Sequence, residues 1–177
     1  IPFDEDEFLE VEKIPLEKAV EMIMSGEIKD AKTQTAILKL KLLKDNGLKY
    51  EPAQIVISSG AKSSLYHAIC AIVDDGDEVI LPSPFWLTYP ELVNLAGGKC
   101  VFVKTGVESS YKITAEQLKN AITDKTKCLI LNSPNNPTGA VYSEDEIKAI
   151  AKVVEETGIY VISDEIYEKL VYSGEKH

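Results

Sequence analysis

No arginine occurs in the 177 residues, so every one of the 19 basic side chains is a lysine. A guanidinium grips a carboxylate through two parallel hydrogen bonds, a geometry that an ammonium cannot copy. The chain therefore offers no forked clamp for an acidic ligand. Cysteine is scarce as well: Cys70, Cys100 and Cys128 are odd in number, widely spaced and set in apolar runs. That pattern excludes a disulfide framework and reads as reduced core thiols, with a cytoplasmic location expected. No apolar run approaches the roughly 18 residues of a membrane helix, and no basic-then-apolar leader opens the chain. A soluble protein without a membrane partner is expected. Of the two histidines, His67 reads as a half-exposed helix residue and His177 as part of a loose terminus. No spacing of His, Cys and carboxylates suggests a metal site. Positive charge is outweighed too: a net charge of −10 argues against a phosphate-backbone partner such as DNA or RNA.

What is present suits an α/β domain. With 45% hydrophobic residues, the chain is long enough to bury one sizeable core. Six acids crowd Ile1 to Lys13, which reads as a solvated arm over residues 1–14. The chain opens with Ile1 and ends in a charged Gly-Glu-Lys-His, which leaves open that it is an excerpt of something longer. Over residues 15–52 two helices are expected. Pro15 starts the first, with Leu16, Ala19, Val20 and Ile23 on one face and Gly26 as its stop. The second runs from Thr35 to Asn46, burying Ile37, Leu40 and Leu43, with Gly47 as its C-cap.

From Ile55 the pattern becomes short apolar strands alternating with helices. The expected strands are Ile55 to Ser58, Glu78 to Leu81, Lys99 to Lys104, Cys128 to Asn132 and Tyr160 to Ser163. Helices are expected over Lys62 to Val73, Thr88 to Ala96, Thr114 to Ile122 and Ser143 to Thr157. Thr114 with Gln117 and Ser143 with Glu146 have capping-box spacing. The implied fold is a three-layer α/β/α arrangement around a mostly parallel sheet.

Open sheets of this kind bind ligands beyond the carboxyl ends of their strands. The residues there are chemically distinctive. Ser58-Ser59-Gly60-Ala61-Lys62 turns into a helix start suited to a phosphate. Pro82-Ser83-Pro84-Phe85-Trp86 brings in the only tryptophan, either a platform for a flat ligand or an ordinary packed aromatic. Asn132 to Gly139, Asn-Ser-Pro-Asn-Asn-Pro-Thr-Gly, is either a stiff loop gripping a polar ligand or a tight turn. Asp164 and Tyr167 follow the last strand, where Asp164 is either a ligand partner or a helix N-cap. Tyr66 and Tyr89 either line the crevice or pack in the core, and packing is the assignment taken. A phosphate cradle, a ring platform, an amide, a carboxylate and a phenol suit pyridoxal 5′-phosphate (PLP), whose pyridine nitrogen a buried carboxylate would keep protonated. Nicotinamide and flavin dinucleotides fit less well, because no Gly-x-Gly-x-x-Gly follows any strand.

Asn132 to Val141 with Ser163-Asp164-Glu165-Ile166-Tyr167 resembles the class I aminotransferases of PLP fold type I. Gly60-Ala61-Lys62 and Pro82 to Pro90 resemble its aspartate aminotransferase branch. The resemblance implies that residues 53–177 are the PLP-binding portion of the large domain. Gly60, Ala61 and Lys62 would hold the cofactor phosphate through their backbone, and Trp86 would stack on the ring. Asn136 and Tyr167 would bond its phenolic oxygen, and Asp164 would pair with its nitrogen. It further implies a homodimer that moves an amino group from an amino acid such as aspartate to a 2-oxo acid. The family's Schiff-base lysine lies beyond Asp164 in a segment this chain does not contain, and its substrate-clamping arginines have no counterpart here; Asp30 stands where relatives carry a tyrosine. The 177 residues alone are therefore expected not to turn over. Alternatives are another fold type I activity, a carbon–sulfur lyase or a synthase, and a non-catalytic binding module.

Overall fold

The computed structural model describes residues 13–45 and 47–172, which fall within two compact units, Ile1–Ser58 and Ser59–His177. Most of the expected acidic arm, together with Asn46 and His177, lies outside the described residues.

In the first unit, α1 (Leu16–Met24) follows Pro15 and buries Ala19, as the apolar spacing requires. The second helix, α2 (Ala31–Asp45), begins four residues earlier than the sequence suggested. Asp30 explains the difference: its carboxylate accepts from the Thr33 amide at 2.7 Å and from the Thr33 hydroxyl at 2.8 Å, tying off the first turn. Ile37, Leu40 and Leu43 are half-buried, not buried as expected, and Leu38 and Leu42 are exposed, so the apolar residues of α2 lie all round the helix and do not form one buried stripe. Residues 55–58 form no strand, a further correction. An isolated apolar run has no ladder to hold it, and no strand of the sheet lies beside this one among the described residues. Val56 stands 83% exposed.

The second unit is built on four parallel strands, β1 (Glu78–Ser83), β2 (Lys99–Lys104), β3 (Thr126–Asn132) and β4 (Tyr160–Asp164), in the order β2-β1-β3-β4. Alternation along each strand sends side chains to opposite faces. Val79, Leu81, Cys128 and Ile130 meet α3 (Ala61–Ile72) and α4 (Thr88–Leu95) through Leu65, Ile69, Leu92 and Val93. Ile80, Leu129 and Leu131 meet α5 (Ala115–Ala121) and α6 (Glu144–Thr157) through Leu118, Ile150 and Val153. The expected three layers are thus present. The central strands read as continuous apolar runs because both their faces are covered. Burying each such side chain contributes about 1.5–3 kcal/mol relative to leaving it exposed.

Both expected capping boxes form. The Thr114 hydroxyl accepts from the Gln117 amide at 3.1 Å, and the Ser143 hydroxyl from the Glu146 amide at 3.3 Å. The cysteines divide three ways: Cys128 is buried and Cys100 half-buried, whereas Cys70 is exposed, contrary to its assignment to the core. On α3 the core-facing positions are Leu65 and Ile69, which turns Cys70 away from the sheet.

Candidate functional site

The register of the last two strands sets the site. Asn132 lies opposite Asp164 at the carboxyl end of the β3–β4 ladder, so two polar side chains end the sheet side by side. Asn132 then works in both directions. Its Nδ2 donates to the Asp164 carbonyl at 2.9 Å, and its Oδ1 accepts from the Asn136 amide at 2.8 Å. One side chain thereby ties the loop after β3 to the end of β4.

Inside that loop the two neighbouring asparagines do different things. Asn135 closes the turn: its Oδ1 accepts from the Thr138 hydroxyl at 2.8 Å, and its backbone carbonyl accepts from the Gly139 amide at 2.8 Å. Asn136 faces a cavity instead, with Nδ2 3.4 Å from the Tyr167 hydroxyl. Tight turn and ligand-facing amide therefore coexist one residue apart.

The cavity, of about 130 Å³, is lined by Ala61, Trp86, Tyr89, Asn136, Asp164 and Tyr167, with Leu65, Asn132 and Ile166 completing the wall. Every cavity-lining residue belongs to the second unit. Ala61 is the first residue of α3. Gly60 before it sits at φ +87, a conformation that side chains rarely adopt, and gives the helix no side-chain cap. The Lys62 ammonium stands 5.3 Å from the centre of the Trp86 ring, a cation–π distance. Five of the seven residues expected at the site thus meet at one cavity, while Gly60 and Lys62 flank it.

Asp164 is buried, and both of its carboxylate oxygens have donors. Oδ1 accepts from the Ile166 amide at 3.2 Å and Oδ2 from the Tyr89 hydroxyl at 2.6 Å. Sequence reasoning placed Tyr89 in the packing. It is packed, at 2% exposure, with its ring edge-on to Trp86 at 5.5 Å between centres, but its hydroxyl reaches into the site. Burial pushes this phenol well above the ordinary tyrosine range, and the hydrogen bond and charge of Asp164 push the same way. No local signal marks that contact, because the two residues are 75 positions apart.

Comparison with known proteins identifies the frame on which this cavity is built. Residues 21–177 match the family model for aminotransferase class I and II. The chain belongs to that family. It is 55% identical over 137 residues to an aspartate aminotransferase of Bacillus sp. (strain YM-2), covering 77% of this chain and 35% of that protein. With an aspartate aminotransferase of Bacillus subtilis (strain 168) the identity is 52% over the same length and the same shares. The crystal structure of the aspartate aminotransferase from Rhizobium meliloti superposes with a TM-score of 0.77 at 35% identity, over 92% of this chain and 42% of that one. The chain spans about a third of the length of the curated aminotransferases it matches. Within class I and II aminotransferases, the β1–β4 sheet and its cavity are thus the portion described here.

Proposed function

We propose that this chain is the cofactor-binding portion of a pyridoxal-phosphate-dependent aminotransferase acting on an amino acid such as aspartate and a 2-oxo acid. The observation that carries this reading is the meeting of Asp164, Asn136, Tyr167 and Trp86 at one cavity beside the start of α3. The donor set fits the cofactor. A buried carboxylate held by two donors can accept a further hydrogen bond from a protonated ring nitrogen. An amide and a phenol 3.4 Å apart suit a phenolic oxygen, and an indole suits a flat ring. The first turn of α3, at Gly60, Ala61 and Lys62, suits a phosphate.

When bound, PLP supplies an electron sink for the carbon that loses or gains the amino group. The residues of this chain prepare that sink. Asp164 would hold the proton on the ring nitrogen, and Asn136 and Tyr167 would donate to the ring's oxygen. Trp86 would cover the ring and exclude water from it. Residues 53–177 form this portion in our reading, with the helices of 15–52 and the arm of 1–14 preceding it. The relatives' names support aspartate as one substrate, and a homodimer in the cytoplasm completes the proposal.

The test is amino transfer from aspartate to a 2-oxo acid by the intact protein with PLP. Replacing Asp164 with Asn leaves the ring proton without its counter-charge. Losing one partner of a buried pair costs about 3–5 kcal/mol, so kcat/KM is expected to fall roughly a thousandfold. Unchanged turnover in that variant overturns the reading. The 177 residues alone, which contain no arginine to grip a substrate carboxylate, are expected to give no turnover.

A further inference from the structure

Tyr89 touches both the carboxylate and the aromatic wall of the cavity: its hydroxyl donates to Oδ2 of Asp164 at 2.6 Å, and its ring stands at 87° to Trp86. We propose that Tyr89 is a positioning residue that holds the Asp164 carboxylate facing the cavity while it fixes the tilt of Trp86, so that carboxylate and ring platform keep a constant relation. This deepens the PLP reading and rests on it.

Three observations carry the proposal. First, the hydroxyl is committed: burial keeps this phenol protonated, so towards Asp164 it acts only as a donor. A donor to a carboxylate favours the charged form over the protonated one. Second, the donors divide the work, because Ile166 holds Oδ1 from the backbone and Tyr89 holds Oδ2 from α4. Two donors on two elements prevent the carboxylate from rotating. Third, Tyr89 is held in turn, buried in the core between the sheet and its helices and with its amide donating to the Trp86 carbonyl at 3.1 Å. The other ionisable groups around the cavity are Tyr167, beside Asn136, and Lys62 of α3, over Trp86; Glu165 next in the chain is paired with the Ser163 hydroxyl at 2.8 Å. None of these three makes a recorded hydrogen bond to the Asp164 carboxylate.

The experiment uses the intact protein, Tyr89→Phe, Tyr89→His and Asp164→Asn. PLP binding is measured against pH, and tyrosine ionisation is followed by ultraviolet absorbance without PLP. Phenylalanine keeps the ring against Trp86 and loses only the donor. PLP affinity is expected to weaken about tenfold, and the acid limb of its pH profile to move up by about one pH unit. Histidine, a flat ring with an N–H donor, is expected to restore much of both. A side chain that served packing alone would leave the acid limb where it was, and that result overturns the proposal. Without PLP, Asp164→Asn is expected to let one tyrosine ionise at lower pH than in the parent. An unmoved tyrosine titration also overturns the proposal, and this measurement needs no substitution at Tyr89. PLP binding that is indifferent to Asp164→Asn overturns instead the cofactor reading, and the tyrosine titration then still decides whether Tyr89 and Asp164 are paired.

Discussion

The two faces of the sheet are covered by equal numbers of helices but secured differently. On the face of α5 and α6, both helices start in capping boxes, and the neighbouring polar groups are satisfied close at hand. Lys112 pairs with Glu146 at 2.6 Å, and the Tyr142 hydroxyl accepts from the Ile113 amide at 3.0 Å. Burial alone would raise the Glu146 carboxyl, but the Lys112 ammonium and the Ser143 amide hold it below the usual carboxylate range. On the face of α3 and α4 neither helix has a side-chain cap, and the buried tyrosine hydroxyl is used at the cavity. The α5–α6 face is secured by its own caps and pairs. The other leaves a helix start and a polar wall for a ligand, which is where the candidate site lies.

That contrast breaks most visibly if a core residue of the α5–α6 face is removed. Leu129 is fully buried at the centre of the α5–α6 side. Leu129→Ala is expected to cost about 3 kcal/mol by chemical denaturation, yet to leave PLP affinity near its parent value below the melting transition. A comparable loss of PLP affinity would show that the two faces are not separable. On the other face, a Cβ added at Gly98 would stand 2.7 Å from Cγ1 of Val73 and 3.1 Å from Cγ1 of Val93. Both valines are packed in the core, so Gly98→Ala forces them apart and is expected to cost about 2 kcal/mol. A variant as stable as the parent would mean that this face is looser than its contacts indicate.

How much of this was legible in the sequence follows from how local each cause is. β1 and β3 could be read because burial on both faces writes an uninterrupted apolar run, and the capping boxes because partner and cap are three residues apart. Residues 55–58 have the same apolar look but no partner strand among the described residues, and pairing is not a property of a run by itself. Five cavity residues were legible from their place at strand and helix ends. The Tyr89–Asp164 bond was not, since it depends on α4 and the end of β4 being brought together by the finished sheet. Asn132 was visible as the start of the loop, but its double role as a tie between loop and strand appears only with the register of β3 on β4.

The capped starts of the α5–α6 face offer a finer test. Ser143→Ala removes the acceptor for the Glu146 amide and is expected to cost about 1 kcal/mol, read as a lower denaturation midpoint with an unchanged slope. No change would mean that the Lys112–Glu146 pair alone secures the start of α6.

The smallest effect distinguishes the faces by pH. Burial pushes the Cys128 thiol, on the α3–α4 side, from 9.0 up to about 12, and the Tyr142 phenol, on the α5–α6 side, from 10.0 up to about 12. In both cases the folded chain keeps a proton that the unfolded chain releases, so stability is whole below the unfolded value and falls as pH rises towards the folded one. The thiol contribution begins to fade first, from about pH 9, and those of the buried phenols, Tyr142 on one side and Tyr89 on the other, follow from about pH 10. At pH 9 the thiol contribution amounts to only about 0.4 kcal/mol, since half of the unfolded thiols are then ionised. Cys128→Ala is expected to flatten the stability profile between pH 8 and 10 and to leave the decline above pH 10 in place. A profile that keeps its early decline without the thiol would place the first alkaline weakness elsewhere than on the cavity side of the sheet.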